Sequence, residues 1–130
     1  MAYEVEIILI RQVASYLAMP IFVVDPVGNL IYFNEPAESL LGRRYEESRE
    51  MPAEEWGTIF LPTDEQGNPL APEQLPLMVA LREMRPAHSR FQIQGLDGIR
   101  HSLSVTALPL VGQQDRLLGG VAFFWEESGE

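Results

Sequence analysis

Residues 21–42 constrain the fold of this chain more than any other segment. They read as an apolar strand, a turn at residues 25–28 (DPVG), a second apolar strand and a short helix. Asp first, Pro second and Gly fourth are the residues that a type I turn prefers. Asn34 is placed to cap the helix with its side-chain oxygen, and Pro36 falls in the first helical turn, where no N–H is needed. The segment therefore predicts a β-hairpin that leads directly into a capped helix.

The order of these features resembles the amino-terminal half of a PAS domain. The matching positions of the family pattern are Asp25, Gly28, Asn34, Ala37, Leu41 and Gly42. Residues 67–77 resemble the lead into the long helix of the family, and residues 118–125 resemble its final strand. The resemblance covers residues 5–126, with two departures. Met84 stands where a glycine usually ends the long helix, and residues 126–128 replace the Asp-x-Thr signature that often leads into an effector.

The apolar pattern predicts the same fold as the resemblance. Residues 75–84 carry apolar side chains on one helical face, and residues 90–94 and 102–107 alternate as half-buried strands do. Residues 117–125 are almost continuously apolar, which is typical of a central strand buried on both faces. We therefore predict an α+β PAS fold: one five-stranded antiparallel sheet, helices inserted between strands 2 and 3, and an N-terminal flanking helix.

Length and charge limit the classes of function. A chain of 130 residues fits one domain with its own core. The formal net charge of −10, with 9 scattered basic residues, argues against binding to nucleic acid or to anionic membranes. There are no cysteines, which excludes disulfides, thiolate metal sites and cysteinyl cofactor adducts. Residues 5–10 are too short to span a membrane and follow no signal peptide, so a cytoplasmic location is expected.

The N-terminal segment carries a heptad-like apolar stripe. Its members, spaced four, three, four and three, are Tyr3, Ile7, Ile10, Ala14 and Leu17. Two heptads are fewer than a coiled coil needs. The stripe therefore fits either a helix on the domain's own sheet or a helix that also pairs with its copy in a homodimer. We assign residues 1–18 to this flanking helix, 19–126 to the PAS domain and 127–130 to a tail.

Catalytic motifs are absent from the sequence. It contains no G-x-S-x-G nucleophile elbow and no phosphate-binding glycine loop. His88 and His101 are the only imidazoles, and their spacing fits no standard zinc pattern. We therefore predict a protein that is not an enzyme, with no catalytic residues and no metal site.

The resemblance implies a ligand pocket between the long helix and the concave face of the sheet. Its candidate lining is Trp56, Phe60, Leu77, Met78, Leu81, Phe91, Ile93, Leu103, Val105 and Phe123. The alternative is a filled apolar core without a cavity. No cofactor is expected, although non-covalent flavin or haem would make the domain a redox or gas sensor.

These observations predict a non-enzymatic sensory or interaction domain of a signal-transduction system. It would bind a small molecule, or relay a signal through a homodimer or an effector such as a histidine kinase or another signalling protein. A homodimerisation module that binds no ligand is the alternative function.

Overall fold

The computed structural model of the chain describes residues 5–42, 44 and 50–126. Within these residues there are four α-helices, five β-strands and two short 3₁₀-helices. In chain order they are α1 (Val5–Ala14), β1 (Ile21–Val24), β2 (Leu30–Phe33), α2 (Glu35–Leu41), α3 (Ala53–Ile59), a 3₁₀-helix (Pro72–Gln74), α4 (Pro76–Glu83), β3 (Ala87–Gln94), β4 (Arg100–Val111), a second 3₁₀-helix (Gln113–Asp115) and β5 (Leu117–Glu126). The predicted tail, residues 127–130, lies outside the described residues.

The five strands form one antiparallel sheet in the order β2-β1-β5-β4-β3. The last strand, β5, lies in the centre of the sheet. It pairs with β1, where Val23 lies opposite Val121, and with β4, where Val105 lies opposite Phe124. The structure therefore confirms the predicted α+β PAS fold and the central position of the last strand. This position explains the apolar sequence of β5, because a central strand covered on both faces has few side chains in contact with water.

The sheet carries a separate apolar core on each face. The inner face, which packs against α2, α3 and α4, carries the larger core and includes Phe22 and Leu103. The outer face, which α1 covers, carries a smaller core that includes Ile21, Val23 and Val121. Successive side chains of a strand point to opposite faces, so Phe22 on one face lies between Ile21 and Val23 on the other.

Helix α1 packs against the outer face of its own sheet. Ile7 and Ala14 are 2% and 0% exposed, and Ile10 packs half-buried against the same core. The Arg11 guanidinium lies 5.1 Å from the centroid of the Tyr32 ring on β2. Burial raises the pKa of the Tyr32 phenol, and the positive charge of Arg11 partly opposes this shift. The inward stripe of α1 is thus occupied by contacts within the chain.

Asn34 is a buried polar residue that joins three elements, with 1% of its surface exposed. Its Oδ1 accepts hydrogen bonds from the N–H groups of Ala37 (3.2 Å) and Ile21 (3.0 Å). Its Nδ2 donates to the carbonyl oxygens of Ala14 and Met19, both at 2.9 Å. The first bond confirms the predicted N-cap of α2. The others connect this cap to the start of β1 and to the end of α1.

Two loops of the same sequence pattern, D-x-x-G-N, have the same hydrogen bonds. They are residues 25–29 and 64–68. In each, the Asp Oδ1 accepts from the backbone N–H groups two and four residues later, at 3.1 and 2.9 Å in the first loop and 2.9 and 2.9 Å in the second. Hydrogen bonds, with the Asn68 backbone N–H first among them, lower the pKa of Asp64. The pattern makes each turn a local structure closed by its own aspartate.

The predicted long helix is the eight-residue α4, which ends at Met84. Met84 adopts the left-handed conformation (φ 57°, ψ 38°) and its N–H donates to the Ala80 carbonyl oxygen. A methionine thus occupies the backbone conformation that glycine usually provides at a helix end.

No helix in the described part of the chain is long and apolar enough to cross a membrane.

Candidate functional site

A cavity of about 40 Å³ lies between the inner face of the sheet and the helices that cover it. Strands β1, β3, β4 and β5 line one side, and α2, α3, α4 and the segments beside α3 and α4 line the other. The described lining residues are Phe22, Leu41, Trp56, Phe60, Pro62, Leu75, Pro76, Leu77, Phe91, Ile93, Val105, Ala122 and Phe124. The cavity therefore lies where the sequence predicts a ligand pocket.

Aromatic rings make up much of the cavity wall. The ring centroids of Phe22 and Phe124 are 4.9 Å apart, and Trp56 meets Phe22 edge-on with centroids 6.4 Å apart. Rings in such tilted and edge-to-face contacts attract each other. Phe22, Trp56 and Phe124 therefore form one aromatic cluster in the wall.

The wall offers almost no hydrogen-bonding group to an occupant. Among the described lining residues, Trp56 has the only polar side-chain atom, Nε1, and this atom donates to the Gly28 carbonyl oxygen at 2.8 Å. Because this donor is already used, an occupant would meet carbon atoms almost exclusively. The cavity suits an apolar molecule and not one that needs polar recognition.

The structure brings six of the ten predicted pocket residues to the cavity. They are Trp56, Phe60, Leu77, Phe91, Ile93 and Val105. Leu103 is buried in the same core but is not part of the lining. Met78 and Leu81 lie on α4 but line a different cleft, which opens on the surface of the domain.

The assignment of Phe123 to the pocket is wrong, because Phe123 packs against the outer core under α1. Its neighbour Phe124 lines the cavity. The sequence-based assignment is thus shifted by one residue along β5. Apolar residues occupy both faces of this strand, so its sequence has no alternation to reveal which residues point inward. Sequence analysis also missed Phe22 on β1 and Ala122 on β5, which both line the cavity.

The two histidines lie away from the cavity lining. His88 is exposed on β3, where its Nδ1 lies 2.8 Å from Thr106 Oγ1. His101 lies on β4, with its Nδ1 3.1 Å from a Glu126 carboxylate oxygen. Among the described residues, no group of three or more histidine or acidic side chains is arranged to hold a metal ion.

The predicted dimer stripe also requires a correction. Ile7 and Ala14 are buried against the sheet, and Ile10 packs beside them, so these three residues cannot pair with a second copy while α1 stays in place. Leu17 is 38% exposed, and Tyr3 lies outside the described residues. The opposite face of α1 is apolar and exposed, at Val5, Ile8, Leu9 and Val13.

Several solved PAS domains are similar to this chain in structure. The PAS domain of a protein from Colwellia psychrerythraea is similar with a TM-score of 0.68 at 16% identity, over 95% of this chain and 99% of that one. The PAS domain of BvgS from Bordetella pertussis has a TM-score of 0.66 at 14% identity, over 96% and 88%. The PAS domain of the fruit-fly ELK potassium channel has a TM-score of 0.73 at 9% identity, over 95% and 98%. At these identities the likeness shows a shared fold.

The sequence profile of the PAS domain family matches residues 8–80, more than half of the chain. The chain therefore belongs to the PAS domain family, as its motifs predict. PAS domains are typically sensory or interaction modules of signalling systems, generally without catalytic activity, and they often form dimer or partner contacts. No curated protein matches the sequence.

Proposed function

We propose that this domain is a sensory module that takes a small apolar molecule into the cavity. The observation that carries the proposal is the cavity itself, a space of about 40 Å³ with an almost entirely apolar wall. Protein cores are packed about as densely as organic crystals, so unfilled space destabilises the folded state. An apolar molecule that fills this space buries its own apolar surface and gains packing contacts with the wall.

Cavity size and chemistry favour a small apolar ligand over flavin or haem. Sites for larger organic ligands have volumes of roughly 300–1,000 Å³ and carry a few polar groups that fix orientation. The cavity of about 40 Å³ is much smaller, and its one polar side-chain atom is already bonded to Gly28. The proposed ligand is therefore only a few heavy atoms in size.

The central strand offers a route from the cavity to the outer face. Ala122 and Phe124 of β5 line the cavity, whereas Val121 and Phe123 of the same strand pack under α1. A ligand that displaces the inner side chains acts on the strand that supports α1. The signal can pass on only if the ligand binds two states of the domain with different affinity. We propose that it reaches a histidine kinase or another signalling protein in the cytoplasm.

Xenon tests whether the cavity accepts an apolar occupant. We expect xenon to shift the methyl NMR signals of Leu77 and Ile93, which line the cavity. Ala122→Val adds two methyl groups at the wall and should weaken xenon binding at least about fivefold. Val105→Ala enlarges the space and should admit benzene as well. The matched control is Ala87→Val, because Ala87 is a half-buried strand alanine that does not line the cavity.

Unchanged methyl signals under saturating xenon would contradict the sensor proposal and favour the homodimerisation module that binds no ligand.

Native mass spectrometry of the untagged protein purified from cells supplies a complementary test. A bound mass that Ala122→Val abolishes would identify the natural ligand. An absorption spectrum of the same sample would reveal a flavin or a haem instead.

We further propose that the domain forms a homodimer through the exposed face of α1. Val5, Leu9 and Val13 are spaced four residues apart and are 65%, 53% and 50% exposed. A helix that is apolar on both faces, with one face already packed, has a second surface that is stabilised by burial. This outward face replaces the inward stripe of the sequence-based prediction.

The double variant Leu9→Glu/Val13→Glu should convert the dimer to a monomer, because it places two charges in an apolar contact. Burial of a leucine or valine side chain is worth about 1.5–3 kcal/mol, so loss of two such contacts should raise the dissociation constant of the dimer at least about a hundredfold. Sedimentation velocity measures this change. Leu96→Glu/Ile99→Glu is the matched control, since it also replaces two exposed apolar side chains (44% and 56%) by carboxylates, but away from α1. A wild-type protein that stays monomeric at millimolar concentration would contradict the proposal.

A further inference from the structure

A second site lies on the surface, beside α4. It is a cleft of about 510 Å³ bounded by the β1–β2 turn, the start of α3, the first 3₁₀-helix and α4. Its volume falls within the range of roughly 300–1,000 Å³ that is typical of sites for small organic molecules. None of its lining residues lines the inner cavity, so the two sites are separate.

The deeper part of the cleft is apolar. Leu81 is buried, Met78 is half-buried, and Val27 is exposed beside them. Met78 has a flexible thioether side chain, which adapts its shape to an occupant. The Gly28 Cα lies so close to this side chain that an added Cβ would be 3.1 Å from the Met78 sulfur. The β1–β2 turn and α4 are thus in direct contact at one end of the cleft.

The exposed part of the cleft is negatively charged. Glu54 and Glu73 both contribute to it and neither forms an ion pair with another described residue. Arg82 is the one cation among the described lining residues. It donates to the Glu73 backbone carbonyl oxygen at 3.3 Å and lies 3.7 Å from a Glu83 carboxylate oxygen. Glu83 is itself paired more closely with Arg85, at 2.6 Å. Two carboxylates and one guanidinium therefore leave the described lining of the cleft with an excess of one negative charge.

We propose that this cleft binds a small organic cation with an apolar body, such as an arylalkylammonium ion. The apolar part of the ligand would cover Met78 and Leu81, and its ammonium group would lie near Glu54 and Glu73. A net charge of −10 over the chain also attracts cations to the protein and repels anions. The inference does not depend on the inner cavity having a ligand.

The test is a ¹H–¹⁵N NMR titration of the whole chain with phenethylammonium. Its neutral analogue of similar shape, 2-phenylethanol, is titrated in parallel. We expect the amide signals of Val27, Glu54 and Met78 to shift with phenethylammonium, and the neutral compound to bind at least about fivefold more weakly. Raising the salt concentration should weaken binding of the cation, because the carboxylates are exposed and screened.

Two variants test the assignment of charge. Glu54→Gln/Glu73→Gln should weaken phenethylammonium binding about five- to tenfold. Its matched control, Glu35→Gln/Glu65→Gln, removes the same number of exposed charges away from the cleft and should leave binding unchanged. Val27→Arg places a guanidinium at the exposed edge of the cleft and should abolish binding, while the 74% exposure of Val27 leaves the core intact.

Equal affinity for phenethylammonium and 2-phenylethanol would overturn the proposal, as would an unchanged affinity in Glu54→Gln/Glu73→Gln. Shifts confined to Phe91, Ile93 and Val105 would also overturn it, because these residues belong to the inner cavity. That last result would leave the sensor proposal intact, so the two proposals fail separately.

Discussion

Asn34→Ala is expected to lower the free energy of unfolding by roughly 3–5 kcal/mol. The substitution removes four hydrogen bonds from a side chain that is 1% exposed. It also leaves the Ile21 N–H and the Ala14 carbonyl oxygen, both buried, without their hydrogen bonds to Asn34. A buried polar group that loses its partner costs about 1–3 kcal/mol, more than the net worth of a typical hydrogen bond. Urea unfolding followed by circular dichroism measures the change.

Asn34→Asp separates the two roles of this side chain. Its carboxylate still accepts from the N–H groups of Ile21 and Ala37, but it cannot donate to the carbonyl oxygens of Ala14 and Met19. We expect the cap of α2 to persist and α1 to be released from the sheet. Hydrogen exchange would then accelerate in α1 before it accelerates in β5.

The matched control is Asn68→Ala. Asn68 is exposed and its side chain makes one bond of 3.3 Å to Asp64, so the loss should stay below about 1 kcal/mol. An equal loss for Asn34→Ala and Asn68→Ala would show that the buried network contributes little to stability.

Gly119→Ala is expected to cost about 2–4 kcal/mol, the second large effect. Gly119 lies on β5 with φ +153°, where the strand passes β1 and α1. A Cβ at this position would overlap the Val24 carbonyl oxygen and lie 3.0 Å from Ile7 Cδ1. The Val24 carbonyl oxygen is part of the backbone of β1, so β1 itself must move to relieve this overlap. Thermal or urea unfolding of the variant gives the loss directly.

Gly67→Ala is the matched control for backbone conformation. Gly67 has φ +88° in an exposed loop, and a Cβ there would meet no atom within 4 Å. Its substitution should cost only the conformational strain, about 1 kcal/mol. If Gly119→Ala costs no more than Gly67→Ala, the close contact between β5, β1 and α1 is not a determinant of stability.

Much of the fold is encoded in short sequence patterns. The turn at residues 25–28, the cap at Asn34 and the alternation of residues 102–107 each depend on residues close in sequence, and the structure has all three. The order of these patterns was sufficient to predict the PAS fold, the five-stranded sheet and its central last strand. Local backbone preferences act over a few residues, so a sequence reveals them directly.

The cavity lining could be predicted only in part. Phe91, Ile93 and Val105 alternate with polar residues, which reveals the inward face of their strands. Phe123 and Phe124 have no such pattern, and the choice between them was wrong by one position. In a strand buried on both faces, pairing with its neighbours and not polarity sets the direction of each side chain.

The sequence by itself determined the elements, their order and the residues from which an apolar core is made. Tertiary structure alone decided that Ile7 and Ala14 face the sheet, that Asn34 also holds α1, and that Glu54 and Glu73 share a cleft with Val27. Turns and periodicity arise from neighbours along the chain. Cavities, buried hydrogen bonds and surface clefts arise from the space left between segments that are distant in sequence, and that space depends on how the whole chain packs.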